Sequence, residues 1–160
     1  MAACFLSPIG CRYQISRRAD WMGVAIYAKG VDKSFDCGYI GFEHLRSRIC
    51  EVYDKDLCDV YSDMTLAILH KKEWVAKINA ILKIKQFPDE DEDILNFLFA
   101  SDCEGKISYK TCKKIYDLIK DVDFGGRTFT YMAYSDGKDY EHFKEFLREC
   151  YRKRACMRWS

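Results

Sequence analysis

The hydrophobic pattern of this chain switches period near residue 30, and that switch limits the folds open to it. Met22-Gly-Val-Ala-Ile-Tyr-Ala-Lys reads as a strand, after which Gly30, Gly38 and Gly41 punctuate a loop. Phe42, Leu45, Ile49, Val52 and Tyr53 then recur at helical spacing, so a helix begins close to Gly41. Leu57 to Leu69 is ambiguous between a helix and a short extended segment. Glu73 to Lys85 places Trp74, Ile78, Ile81 and Leu82 on one face and its lysines on the other, and Pro88 ends it. The acidic run Asp89 to Asp93 precedes the apolar Ile94 to Phe99, as the first turn of a helix or as a cation-binding or nucleic-acid-mimicking patch. Ser108 has the place of an N-cap for a helix burying Cys112, Ile115, Leu118, Ile119 and Val122. Asp123-Phe-Gly-Gly stops that helix, and the tripeptide has none of the other elements of a kinase. Arg127 to Tyr134 alternates as a half-buried strand, Asp139 to Arg154 forms a last helix, and Cys156 to Ser160 a terminal strand. This pattern predicts an α+β fold with four or five helices packed around a small sheet.

The chain of 160 residues is 49% hydrophobic and 15% aromatic, enough for one core and too short for a second full domain. Residues 22–160 are expected to form that single domain. Residues 1–21 are mixed in character and are expected to be an appendage, with Met22 as an alternative start. Twenty-six Lys and Arg against 25 Asp and Glu remove the case for a globally basic nucleic-acid binder. No apolar run approaches the roughly 18 residues of a membrane span, and no membrane partner is expected. The nine cysteines are an odd number without C-x-x-C spacing, which reads as reduced, mostly buried thiols in a cytoplasmic protein without metal or cofactor. The first residues lack a secretory pattern, because their positive charges follow a broken apolar stretch.

Ser101-Asp102-Cys103-Glu104-Gly105-Lys106-Ile107-Ser108 sets two carboxylates, a hydroxyl and a glycine between two helices. Placing Gly105 sixth in a calcium loop puts Ala100 first and Thr111 twelfth, where the two least dispensable ligands belong. The structural reading has Asp102 capping backbone N–H groups, a left-handed Gly105 and a buried Ile107. A ligand-facing role for Asp102 and Glu104 is the alternative.

Gly38, Tyr39, Phe42, Leu45, Arg46 and Ile49 give GY-x-x-F-x-x-LR-x-x-I, and Ser101 to Cys112 gives SDCEG-x-IS-x-x-x-C. These segments resemble a loose family of small uncharacterised proteins from bacteria and their phages. The resemblance spans most of the chain on about a dozen distinctive positions. It departs at Ala100, where family members commonly carry a polar residue, often His, so no metal or acid–base site is carried over. It implies a phage or mobile-element protein that interferes with a host defence system, by covering a host protein or by sequestering a nucleotide signal. A bacterial immunity or regulatory protein is the alternative, and a small hydrolase a further one.

The residues themselves favour binding over catalysis. His44, His70 and His142 all read as surface residues, so no nucleophile has a base and an orienter. Two binding sites are expected. Tyr39 and Arg46 flank a helix start where an anion would find N–H groups and a guanidinium; the alternative pairs Arg46 with Asp102 or Glu104 as a structural pin. Arg148, Arg152, Lys153, Arg154 and Arg158 face one acid, Glu149, giving a local charge of about +4. Tyr151 and Trp159 are expected to supply flat groups beside them. Such a surface takes an acidic host protein or a phosphate-bearing small ligand, with nucleic acid less favoured, or else the cations simply offset the helix end.

Overall fold

The period switch is visible in a computed structural model that describes residues 23–131 and 136–160. Strand β1 (Ala25–Ala28) and the short β2 (Phe35–Asp36) lead into helix α1 (Gly38–Tyr53). Four helices follow: α2 (Lys55–Tyr61), α3 (Met64–Leu69), α4 (Lys71–Lys85) and, after a 3₁₀ turn at Asp89–Asp91, α5 (Glu92–Phe99). Strand β3 (Gly105–Ile107), helix α6 (Tyr109–Ile119), helix α7 (Asp139–Arg152) and strand β4 (Met157–Trp159) complete the order. The strands form one antiparallel sheet in the order β2-β1-β4-β3. The fold is thus α+β in a single compact domain, with seven α-helices among the described residues rather than four or five.

The extra helices come from short polar side chains that the hydrophobic pattern does not weigh. Asp54 accepts from the Leu57 N–H at 2.8 Å and Asp63 from the Leu66 N–H at 2.8 Å. Each cap starts a new helix, so Leu57 to Leu69 is two helices and neither one helix nor an extended segment. Ser108 caps α6 as expected, accepting from the Thr111 N–H at 3.2 Å.

The expected strand at Arg127 to Tyr134 is absent over its described part, 127–131. Its backbone donors go elsewhere. The N–H groups of Phe129 and Thr130 each donate to Asp139 Oδ2 at 3.2 Å, and the Tyr131 N–H donates to the Asp36 carbonyl at 2.9 Å. A buried carboxylate at the first residue of α7 replaces a neighbouring strand. The remaining residues of that stretch, the expected appendage 1–21 and the start at Met22 lie outside the described residues.

One face of the sheet is buried through Ile26, Ala28, Phe35, Ile107, Met157 and Trp159. The Phe35 ring meets Phe129, Phe143 and Phe146 at centroid distances of 5.5 to 5.8 Å, tying the sheet to α7. Trp159 meets Phe42 of α1 at 5.4 Å and Phe97 of α5 at 5.7 Å. Away from the sheet, Tyr61, Trp74 and Phe99 join α2, α4 and α5. Aromatic burial on this scale is the main favourable contribution to folding.

Candidate binding surfaces

Arg46 lies on α1 with its side chain fully enclosed. Its Nη1 donates to the Ala100 carbonyl at 2.8 Å, its Nη2 bonds Asp102 and lies 3.5 Å from Glu43, and its guanidinium stacks 4.4 Å from the Phe42 ring centroid. Glu43 and Asp102 are themselves buried. A charge removed from water needs this density of partners. The arrangement is an internal pin holding the segment after α5 to α1, and the guanidinium offers no face to a ligand from outside. Tyr39, two turns earlier, is half-buried and lines a shallow groove with Ile40, His44 and Thr128 to Tyr131, apart from that pin.

Asp102 therefore bonds a side chain rather than capping backbone. Its carboxylate is buried on Arg46, whereas Glu104 is exposed. Gly105 is not left-handed; it is a strand residue in register with Trp159. A Cβ on Gly105 would fall 2.1 Å from the Trp159 ring, so the glycine is required by contact. Trp159 is 2% exposed and donates its indole N–H to the Ser101 carbonyl at 2.8 Å. The expectation that it offers a flat group to a partner is corrected: its alternation in β4 turns it inward.

The rest of the C-terminal tract is outside. Arg148, Tyr151, Arg152, Lys153, Arg154 and Arg158 are all exposed. Arg152 pairs with Glu149 at 2.7 Å, and Lys153 donates to the Gly30 carbonyl at 2.7 Å. Arg154 and Arg158 have no side-chain partner among the described residues, and Arg148 acts on Glu149 only through its charge. The Tyr151 ring stands 6.4 Å from Tyr109 and 5.5 Å from the Lys113 ammonium, which fixes it at the helix surface. Helix α7 ends with the Ala155 N–H on the Cys150 carbonyl at 2.9 Å and the Arg154 N–H on the Tyr151 carbonyl at 3.1 Å. That double closure requires a left-handed residue at position 154, where φ is 53°, a place that suits glycine. An arginine stands there instead.

Candidate chemistry elsewhere is sparse. Hydrogen bonding with Cys50 draws the Cys58 thiol down to about 7 despite its burial. Its other neighbours are the Ser47 carbonyl and the Ser62 hydroxyl, with no imidazole beside it. His142 bridges Asp136 at 2.9 Å and Lys33 at 2.9 Å, a surface link between α7 and the loop after β1. Among the described residues no three His, Cys, Asp or Glu side chains gather as a metal ion would require. No helix there is long and apolar enough to cross a membrane. No family model, curated protein or solved structure matches this chain.

Proposed function

We propose that this chain is a non-enzymatic, cytoplasmic binding protein of phage or mobile-element type that interferes with a host defence system. It does so by covering an acidic face of a host protein or by sequestering a phosphate-bearing nucleotide signal. The observation that carries the reading is Arg154. It is exposed, unpaired among the described residues and held at a left-handed φ of 53° that costs a non-glycine residue about 1 kcal/mol or more. Folding gains nothing from an arginine at that corner. A binding surface gains a guanidinium presented from a defined backbone corner, next in sequence to Arg152 and Lys153. The seven described cysteines are free thiols, which supports a reducing compartment.

The test is capture from host lysate, followed by mass spectrometry of both protein and small molecules, with the wild type and with Arg152, Lys153 and Arg154 all changed to Glu. The reversed chain is expected to melt within a few degrees of wild type, because these side chains are exposed, and to lose a protein partner. A protein partner captured equally well by the folded variant removes this surface from the reading. Between the two modes, a protein at fixed stoichiometry marks covering, and a nucleotide released on denaturation marks sequestration.

A further inference from the structure

The buried face of the sheet accounts for every second residue of its strands; the opposite face holds a row that packing does not explain. Tyr27 of β1 is in register with Arg158 of β4, and Arg158 is in register with Lys106 of β3. All three are exposed. Opposed residues of antiparallel strands point the same way, so a phenol, a guanidinium and an ammonium stand side by side, about 5 Å from one strand to the next. Like charges directly opposed across a sheet repel. Neither Arg158 nor Lys106 has a carboxylate partner among the described residues to offset that repulsion. The row borders a shallow depression of about 430 Å³ that also touches Glu104 and Ser160. Asp36 stands on the same side, but opposite Ala25 at the far edge of the sheet.

We propose that this solvent face is a nucleoside-phosphate site, with the base lying on Tyr27 and the phosphate oxygens shared between Arg158 and Lys106. The chemistry follows from the order of the row. A guanidinium and an ammonium one strand apart suit two oxygens of one anion or two linked phosphates, and they relieve their mutual repulsion by sharing it. The phenol ring across Arg158 from Lys106 gives an aromatic base a surface to stack on. Glu104 lines the same depression and opposes any anion, so Arg158 and Lys106 together must outweigh it. The site rests on the binding-protein reading above and gives its small-ligand mode a place distinct from the α7 corner.

Calorimetric titration of the full chain with ADP, GDP and pyrophosphate tests it. Saturable binding of at least one nucleotide is expected, weakened about tenfold by Arg158→Gln and by Lys106→Gln. Tyr27→Ala should weaken the nucleotide and leave pyrophosphate unchanged. No saturable binding of either nucleotide at millimolar concentration overturns the site, and so does binding that these folded variants leave intact. A single-stranded oligonucleotide that binds where both nucleotides fail overturns it in favour of a strand platform. The two readings fail separately. The Arg152, Lys153 and Arg154 reversal should retain nucleotide binding, and turnover of the bound nucleotide would sink the non-enzymatic reading while leaving the site standing.

Discussion

At the scale of single residues, the chain uses polar groups in places where apolar ones would be simpler, and each such place makes a test. Removing one member of the Arg46–Asp102 pair leaves the other buried without its charge partner, so Asp102→Ala is expected to cost about 3 kcal/mol, with Glu43 tempering the loss. Arg46→Met with Asp102→Ala should cost less than the two single changes added, as read by urea denaturation of all four chains. Gly105→Ala should cost about 1 to 3 kcal/mol because its Cβ collides with Trp159, and a smaller residue at 159 should reduce that penalty. An equal penalty in both backgrounds would refute the contact. At the other end of β4, Arg154→Gly should raise stability by about 1 kcal/mol by relieving its left-handed backbone. If the corner is the binding surface, the same change weakens partner capture, a more stable protein that binds less well.

At the scale of elements, the start of α2 shows how polar caps tie the helices together. Asp54 caps the Leu57 N–H and also receives the Lys85 ammonium at 2.7 Å from the end of α4. Partial burial pushes the Asp54 carboxyl up, but the Lys85 ammonium and the Leu57 N–H outweigh it, and its pKa falls below the ordinary carboxylate value. A depressed folded-state pKa contributes stability that is present above the unfolded value and is lost as pH drops through the folded one. Asp54→Ala is therefore expected to cost about 1 kcal/mol near neutral pH, and the gap from wild type should close below about pH 4, as followed by thermal melts across that range. The same caps mark where hydrophobic spacing stops being informative. The faces of α1, α4, α6 and α7 were legible because Phe42, Trp74, Ile115 and Phe143 recur at helical spacing and are buried. The division of α2 from α3 and the missing strand at 127–131 were not, because Asp54, Asp63 and Asp139 act through backbone contacts that hydrophobic periodicity ignores. Of the candidate surfaces, the basic tract could be read as a run of charge. The inward turn of Trp159 and the alignment of Tyr27 with Lys106 depend on strand register, which is set by pairings across most of the chain.

At the scale of the whole molecule, the near-zero net charge hides two basic regions, the α7 corner and the outer sheet row, joined through β4. A protein organised this way should bind anions in a manner that weakens as salt rises, without attracting them over its entire surface. The topology has a different consequence. Strand β4 occupies a central place in the sheet, bonded to β1 on one side and β3 on the other, yet it is made from residues 157–159. During synthesis Ile26 emerges early and must wait for Trp159, its partner in the sheet. Until then β1 and β3 have no strand between them, and the aromatic rings that close over Trp159 have nothing to close on. The nascent chain is thus a set of helices around an open seam, exposed to chaperones and to other copies of itself, and the sheet is sealed only when β4 arrives.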